Sequence, residues 1–104
     1  MTTHYLKTDR EAFIQVGKGF KKAEFRKDDR EERYDVGDTL VLVEVVTEPS
    51  GGIDQPHRVT PTGRDFTVQV THILRGPDYG IPTGYCMMSI TQPNLGPNTI
   101  RLDN

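Results

Sequence analysis

The sequence has 104 residues, of which 27% are charged, and its formal net charge at pH 7 is −2. This length and composition predict one soluble domain over residues 1–104 and exclude a transmembrane protein, because no apolar run is long enough to span a bilayer. The slightly negative charge also argues against a general nucleic-acid coat protein.

The first residues and the cysteine content indicate the cellular compartment of the protein. The first residues lack the basic and apolar regions of a secretory signal peptide. Cys86 is the only cysteine, and its apolar strand context predicts a buried thiol rather than a nucleophile. We therefore expect a cytoplasmic protein that has no membrane partner, and the sequence leaves its oligomeric state open.

The charges are unevenly distributed along the chain. Residues 1–33 contain nine of the 13 basic residues but only seven of the 15 acidic ones, so the rest of the chain is acidic on balance. Because basic residues exceed acidic ones only in this segment, the sequence predicts a confined anion-binding site rather than a broad phosphate-binding surface.

The first predicted element is a short helix at about residues 9–17. Thr8 and Glu11 form a capping-box pattern at its start, and Gly17 and Gly19 are placed to end it. The residues before the helix are assigned no strand and could be a frayed terminus.

A strand is predicted next, at about residues 20–27. Its alternation places Lys22, Glu24 and Arg26 on one face. That face could be a solvated charge ladder, or a platform whose Glu24 orients Arg26 while the cations bind phosphate.

Lys21 falls on the other face of this strand if the strand is regular. A β-bulge near Lys22 or Ala23 would bring Lys21 and Glu24 together, and bulges are frequent beside functional sites. A regular strand is therefore expected to weaken any mechanism that uses both residues.

Three further strands are predicted. Residues 39–47 form the strongest strand and should be central, because they are apolar on both faces. Residues 64–74 alternate in polarity and should pair with it as a wide hairpin, and residues 85–91 form the last strand. Several strands with one early helix predict an α+β domain whose sheet curls into a small barrel.

The connections carry turn and loop signals. Gly37 and Asp38 indicate a structural turn, and residues 76–84 indicate another. Residues 48–63 are rich in proline and glycine and predict a long irregular loop. Residues 92–104 are predicted to be a loosely packed tail.

Several short motifs occur in a definite order along the chain. They are His4-x-Leu6-Lys7, the short helix, Gly19-x-Lys21-Lys22-x-Glu24-x-Arg26, Asp29-Arg30, Gly37-Asp38, an apolar strand with Glu44, and Gly84-Tyr85. A sequence with these motifs resembles the phage and bacterial family called domain of unknown function 3850, in the ASCH group of PUA-like proteins. The resemblance covers about residues 4–91.

This resemblance implies a PUA-like β-barrel of about five or six mostly antiparallel strands, with one short N-terminal helix and a cleft near the first strand. ASCH domains are similar to RNA-binding modules, so the favoured function is recognition of RNA or of a nucleotide, modified or not, without a cofactor or a metal. The expected ligand-binding residues are His4, Lys7, Lys21, Glu24, Arg26, Asp29, Arg30 and Tyr85. Tyr34 and Tyr85 could stack on a base, or could be residues of the barrel rim.

Two alternative functions remain. One ASCH branch is an amidohydrolase that acts on an acylated cytidine nucleoside through a Lys, a Thr and a Glu. Its Lys aligns with Lys21 and its Thr with Glu24, so these two are the candidate catalytic residues if the chain is an enzyme. The second alternative is a phage accessory protein that binds a host protein through the loop at 48–63.

Overall fold

The computed structural model describes residues 1–28, 31–49 and 57–93. The elements are β1 (Thr3–Asp9), α1 (Arg10–Gly17), β2 (Ala23–Lys27), β3 (Thr39–Pro49), β4 (His57–Arg75) and β5 (Tyr85–Ile90), with a short 3-10 turn at Asp78–Gly80. The predicted α+β class is confirmed. No helix in these ranges is both long enough and apolar enough to cross a membrane.

The five strands form one sheet in the order β1-β3-β4-β5-β2. β1 runs parallel to β3, and the other three pairings are antiparallel. In the described part of the chain, β1 and β2 do not pair with each other, so the sheet is open. The prediction of mostly antiparallel strands is thus confirmed, whereas a closed barrel is not shown.

β1 is an element that the sequence analysis did not predict. Its side chains alternate between exposed and buried, and the inward set is His4, Leu6 and Thr8. Only one of these three is apolar, so the period-two hydrophobic signal of a half-buried strand is weak. The strand pairs with β3 from Thr3 to Asp9, and the expectation of a frayed terminus was wrong.

The helix begins one residue later than its predicted capping box. Asp9 is the N-cap, and its Oδ1 accepts a hydrogen bond of 3.0 Å from the backbone N–H of Ala12. Thr8 is instead the last buried residue of β1. The helix buries Phe13 and Val16 against the sheet and ends at Gly17 as predicted.

The core is a single cluster of buried side chains, contributed by β1, α1, β3, β4, β5 and the segment before β3. Its members are Leu6, Phe13, Val16, Tyr34, Leu40, Leu42, Phe66, Val68, Val70, Cys86, Met88 and Ile90. Burial raises the pKa of the Cys86 thiol, as expected for a structural cysteine. Tyr34 is fully buried, so its prediction as a rim or base-stacking residue was wrong.

The predicted loop at 48–63 is largely strand. β3 continues to Pro49 and β4 begins at His57, while residues 50–56 lie outside the described ranges. The pairing register shifts between Val43 and Val45, so that Thr62–Arg64 lie opposite the single residue Glu44. Gly63 has a φ of +94° at this irregularity, a conformation that glycine adopts without steric cost.

Candidate functional site

A buried carboxylate lies at the centre of the candidate site. Glu24 is only 3% exposed. Lys21 Nζ donates to its Oε1 at 2.7 Å, and Arg26 Nε donates to its Oε2 at 3.1 Å. Because each oxygen binds its own cation, the carboxylate holds both cationic side chains in place.

The approach of Lys21 to Glu24 has a simple cause. β2 begins only at Ala23, so Lys21 precedes the strand and is not bound by its alternation. The Lys21 Nζ also donates to the backbone carbonyl of Ala23 at 2.6 Å. β2 pairs with β5 in regular register from Ala23 to Lys27, without a bulge. The two residues therefore meet without the bulge that was expected to bring them together.

The polarity of β2 is reversed relative to an ordinary half-buried strand. Glu24 points inward, whereas the apolar ring of Phe25 points outward and is 46% exposed. A charged group on the inner face must be paired, because an isolated buried charge is costly. The interpretation of this face as a solvated ladder was therefore wrong for Glu24.

Arg26 connects the two edge strands of the sheet. Its Nη1 donates to the backbone carbonyl of Lys7 at 3.1 Å, and its Nη2 donates to the Thr8 hydroxyl at 3.3 Å. Since β1 and β2 are at opposite ends of the strand order, the sheet must curl to bring them this close. The gap between them is crossed by a side chain and not by backbone pairing.

A cleft with a volume of about 250 Å³ lies between these two edges. It is lined by Lys7, Thr8, Asp9, Ala12, Lys21, Glu24, Phe25 and Arg26. The lining includes three cations and two carboxylates, and one of the carboxylates, Asp9, is already engaged as the helix N-cap. Within the described ranges, no group of three or more His, Cys, Asp or Glu side chains is arranged to bind a metal ion.

The two paired cations retain hydrogen-bonding capacity. An ammonium group has three N–H donors and a guanidinium has five. Lys21 uses two donors and Arg26 uses three on acceptors in the described residues. Their side chains are 31% and 25% exposed, so the remaining donors can reach a ligand in the cleft.

His4 lies elsewhere, in a buried polar cluster around Asp38. His4 Nε2 donates to Asp38 at 2.8 Å, and its ring packs at a tilt against Tyr34 with 4.6 Å between centroids. The backbone N–H groups of Thr2 and Asp35 also donate to Asp38. Burial raises the pKa of Asp38, but these hydrogen bonds outweigh it and hold that pKa below its usual range.

The other predicted site residues are divided between the cleft and its surroundings. Lys7 lines the cleft, whereas Tyr85 does not and instead stacks on Phe25. Asp29 and Arg30 lie outside the described residues. Their neighbour Asp28 is buried and binds both Arg33 and Arg75.

Another buried carboxylate, that of Glu44, was named in the sequence motif but not as a site residue. Arg64 Nε donates to Oε1 of Glu44 at 2.8 Å, and Arg64 Nη2 donates to Oε2 at 2.6 Å. The Thr62 hydroxyl also donates to Oε1. The hydrogen bond from Arg64 lowers the pKa of Glu44, and the pairing raises the pKa of Arg64. The available signal was a charged residue inside an otherwise apolar strand, which requires a partner.

The sequence model of one family, "Domain of unknown function (DUF3850)", matches residues 3–90. The chain belongs to this family. The match covers all five strands and the helix, and therefore both walls of the cleft. No curated protein matches the chain.

Proposed function

We propose that this protein is a small binding module of the PUA-like ASCH type that recognises RNA or a modified nucleotide in the cleft between β1 and β2. The observation that carries the proposal is the pair of cations, Lys21 and Arg26, held by the buried Glu24 beside an open cleft. Cations that are already fixed lose little side-chain entropy when they bind an anion.

The charge of the cleft suits a phosphate group. The lining contains three cationic side chains, those of Lys7, Lys21 and Arg26, and only two carboxylates. The guanidinium of Arg26 offers a planar set of donors, which matches phosphate oxygens well. The acidic balance of the rest of the chain would confine nucleic-acid binding to this one place.

The size of the cleft restricts what it can accept. Its volume of about 250 Å³ is slightly below the range of about 300 to 1,000 Å³ that is common for small-molecule pockets. A phosphate with part of its nucleotide fits such a volume, whereas a double helix does not. The proposed ligand is thus a single nucleotide unit, either free or within a strand.

The amidohydrolase alternative would use the same groups and has less support. The Lys21 amine is a donor in two short hydrogen bonds, to Glu24 and to the carbonyl of Ala23. A nucleophile or general base must be directed at its substrate, whereas this amine is directed at the Glu24 carboxylate and the Ala23 carbonyl. The host-protein alternative assumed a loop at 48–63, most of which lies in β3 and β4.

Binding can be measured by fluorescence anisotropy with short single-stranded RNAs over a range of salt concentrations. Affinity should fall as salt rises, because phosphate contacts release counterions. Arg26→Ala should weaken binding about tenfold or more and reduce the salt slope by about one contact, because it removes a charge-assisted hydrogen bond.

The matched control is Arg58→Ala, an exposed arginine of β4 that is not among the cleft residues. It should leave affinity unchanged. Failure of the wild type to bind RNA or nucleotides at low salt would overturn the proposal, and so would equal binding by the Arg26 variant. Hydrolysis of acylated cytidines that is lost in Lys21→Ala would favour the enzyme alternative.

A further inference from the structure

Two aromatic rings are stacked on the outer face of the sheet, directly beside the cleft. Phe25 in β2 and Tyr85 in β5 have ring centroids 5.4 Å apart and an interplanar angle of 9°. Phe25 is 46% exposed, although an outward position on a strand is normally polar. The stack is therefore an apolar platform that faces solvent.

The platform and the phosphate-binding groups are adjacent in the chain. Phe25 lies between Glu24 and Arg26 and is itself one of the residues that line the cleft. Successive residues of a strand are about 3.3 Å apart and point to opposite faces. β2 is also at the edge of the sheet. A flexible chain can thus pass around this edge, with one part in the cleft and the next on the ring.

Such an arrangement matches the chemistry of an unpaired nucleotide strand. Phosphates require cations, and exposed base faces stack on aromatic side chains with little dependence on sequence. The bases of a duplex are stacked on each other and cannot lie on a side chain. A peptide partner would use the apolar ring but would have no general need for the cations of the cleft.

From this geometry we infer that the ligand is single-stranded nucleic acid, with a phosphate in the cleft and a neighbouring base stacked on Phe25. Tyr85 packs against one face of the Phe25 ring, and the base would stack on the other face. The inference rests on the proposed function and adds a base-stacking residue that the sequence analysis did not assign. It also excludes duplex RNA as the preferred ligand.

The test uses a short single-stranded RNA that carries 2-aminopurine, a base whose fluorescence changes when it stacks. Wild-type protein should change this fluorescence and should bind the single strand more tightly than the matching duplex. Phe25→Leu should weaken binding about tenfold, or about 1.4 kcal/mol, because the variant loses the stacking of one base. Its salt slope should equal that of the wild type, because no phosphate contact is removed.

Two further variants keep this result interpretable. Phe25→Trp preserves an aromatic face and should restore both affinity and the fluorescence change. Tyr79→Leu removes another exposed aromatic side chain, 76% exposed in the turn before β5 and not among the cleft residues, and should have no effect. Thermal melts of all variants should show that the fold is retained.

The possible failures can be told apart. Suppose that Arg26→Ala weakens binding while Phe25→Leu changes neither affinity nor fluorescence. The proposal that Phe25 stacks on a base would then be wrong, and the proposed phosphate site would be retained. Equal affinity for duplex and single strand would also overturn the inference alone. If no RNA binds to the wild type, the proposed function fails and the inference fails with it.

Discussion

Glu24 in β2 and Glu44 in β3 are both buried, and both carboxylates are bound by cations, yet their surroundings differ. Both oxygens of Glu44 accept hydrogen bonds from one guanidinium, that of Arg64, which also lies over the ring of Phe13 at 5.5 Å. The exposed Arg10 forms only a long ion pair with Glu44, at 3.9 Å. Glu24 binds two separate cations, one on each oxygen, and both of them line the cleft.

The difference fits a structural role for Glu44 and, under the proposed function, a role for Glu24 in presenting cations to a ligand. The Arg64 side chain directs both of its hydrogen bonds in the described residues to Glu44, its guanidinium lies over the ring of Phe13, and it is not among the residues that line the cleft. Lys21 and Arg26 each give Glu24 one hydrogen bond and keep other donors at the cleft. A buried carboxylate can therefore stabilise the fold or hold cations at a cleft, depending on where its partners lie.

The largest expected effect comes from Glu44→Ala, which should lower the free energy of unfolding by about 3 kcal/mol. The reason is that Glu44 is almost fully buried and accepts three hydrogen bonds, two from Arg64 and one from Thr62, all of which would be lost together. Urea denaturation followed by circular dichroism measures this. Glu48→Ala in the same strand is the control, because Glu48 is exposed and its pair with Arg58 is long at 3.9 Å, so its effect should be small.

Glu24→Ala should lower the free energy of unfolding by a smaller amount, about 1 to 2 kcal/mol, in the same urea measurement. Lys21 and Arg26 would lose their shared acceptor, but both border an open cleft and can be hydrated there. A loss equal to or larger than that of Glu44→Ala would contradict the distinction between the two carboxylates.

The smallest change in the free energy of unfolding should appear when the pH is lowered mildly. The Arg64 hydrogen bond holds the pKa of Glu44 below its ordinary value of 4.5, so the unfolded state binds protons first as pH falls. The stability from this pairing is complete above that value and is lost as pH drops towards the lower folded pKa. Only part of it is lost at about pH 4.

Urea midpoints between about pH 7 and pH 3 would detect this dependence. Glu44→Gln should flatten the profile, because the titrating group is removed. Asp38, whose pKa is also lowered, should contribute at slightly lower pH, since its ordinary value is 3.8. An unchanged profile in Glu44→Gln would mean that the Arg64 pairing does not govern the acid response.

Much of the fold could be predicted because most strands carry ordinary hydrophobic patterns. β3 and the hairpin that it forms with β4 follow from their β-branched residues, and the helix follows from its flanking glycines. β1 could not be predicted, because its inward positions include His4 and Thr8. The beginning of β4 was also missed, since Pro61 and Gly63 are typical of loops.

Part of the cleft lining was predicted from the sequence, but its geometry was not. Lys21, Glu24 and Arg26 were chosen for their charge and family pattern, and all three line the cleft. Their arrangement depends on where β2 begins, and strand boundaries are poorly defined by local sequence. Thr8 joins the site through a contact with Arg26, which is 18 residues away, and alternation within one strand does not reveal such a contact.

The position of β2 in the sheet has a consequence for how the cleft is assembled. All the residues that line the cleft lie between Lys7 and Arg26, in the first quarter of the chain. β2, however, is held in the sheet only by β5, among the described strands, and β5 ends at Ile90. A nascent chain can therefore carry every cleft residue without having a cleft, and its capacity to bind a ligand is acquired only when β5 has been made and has paired with β2.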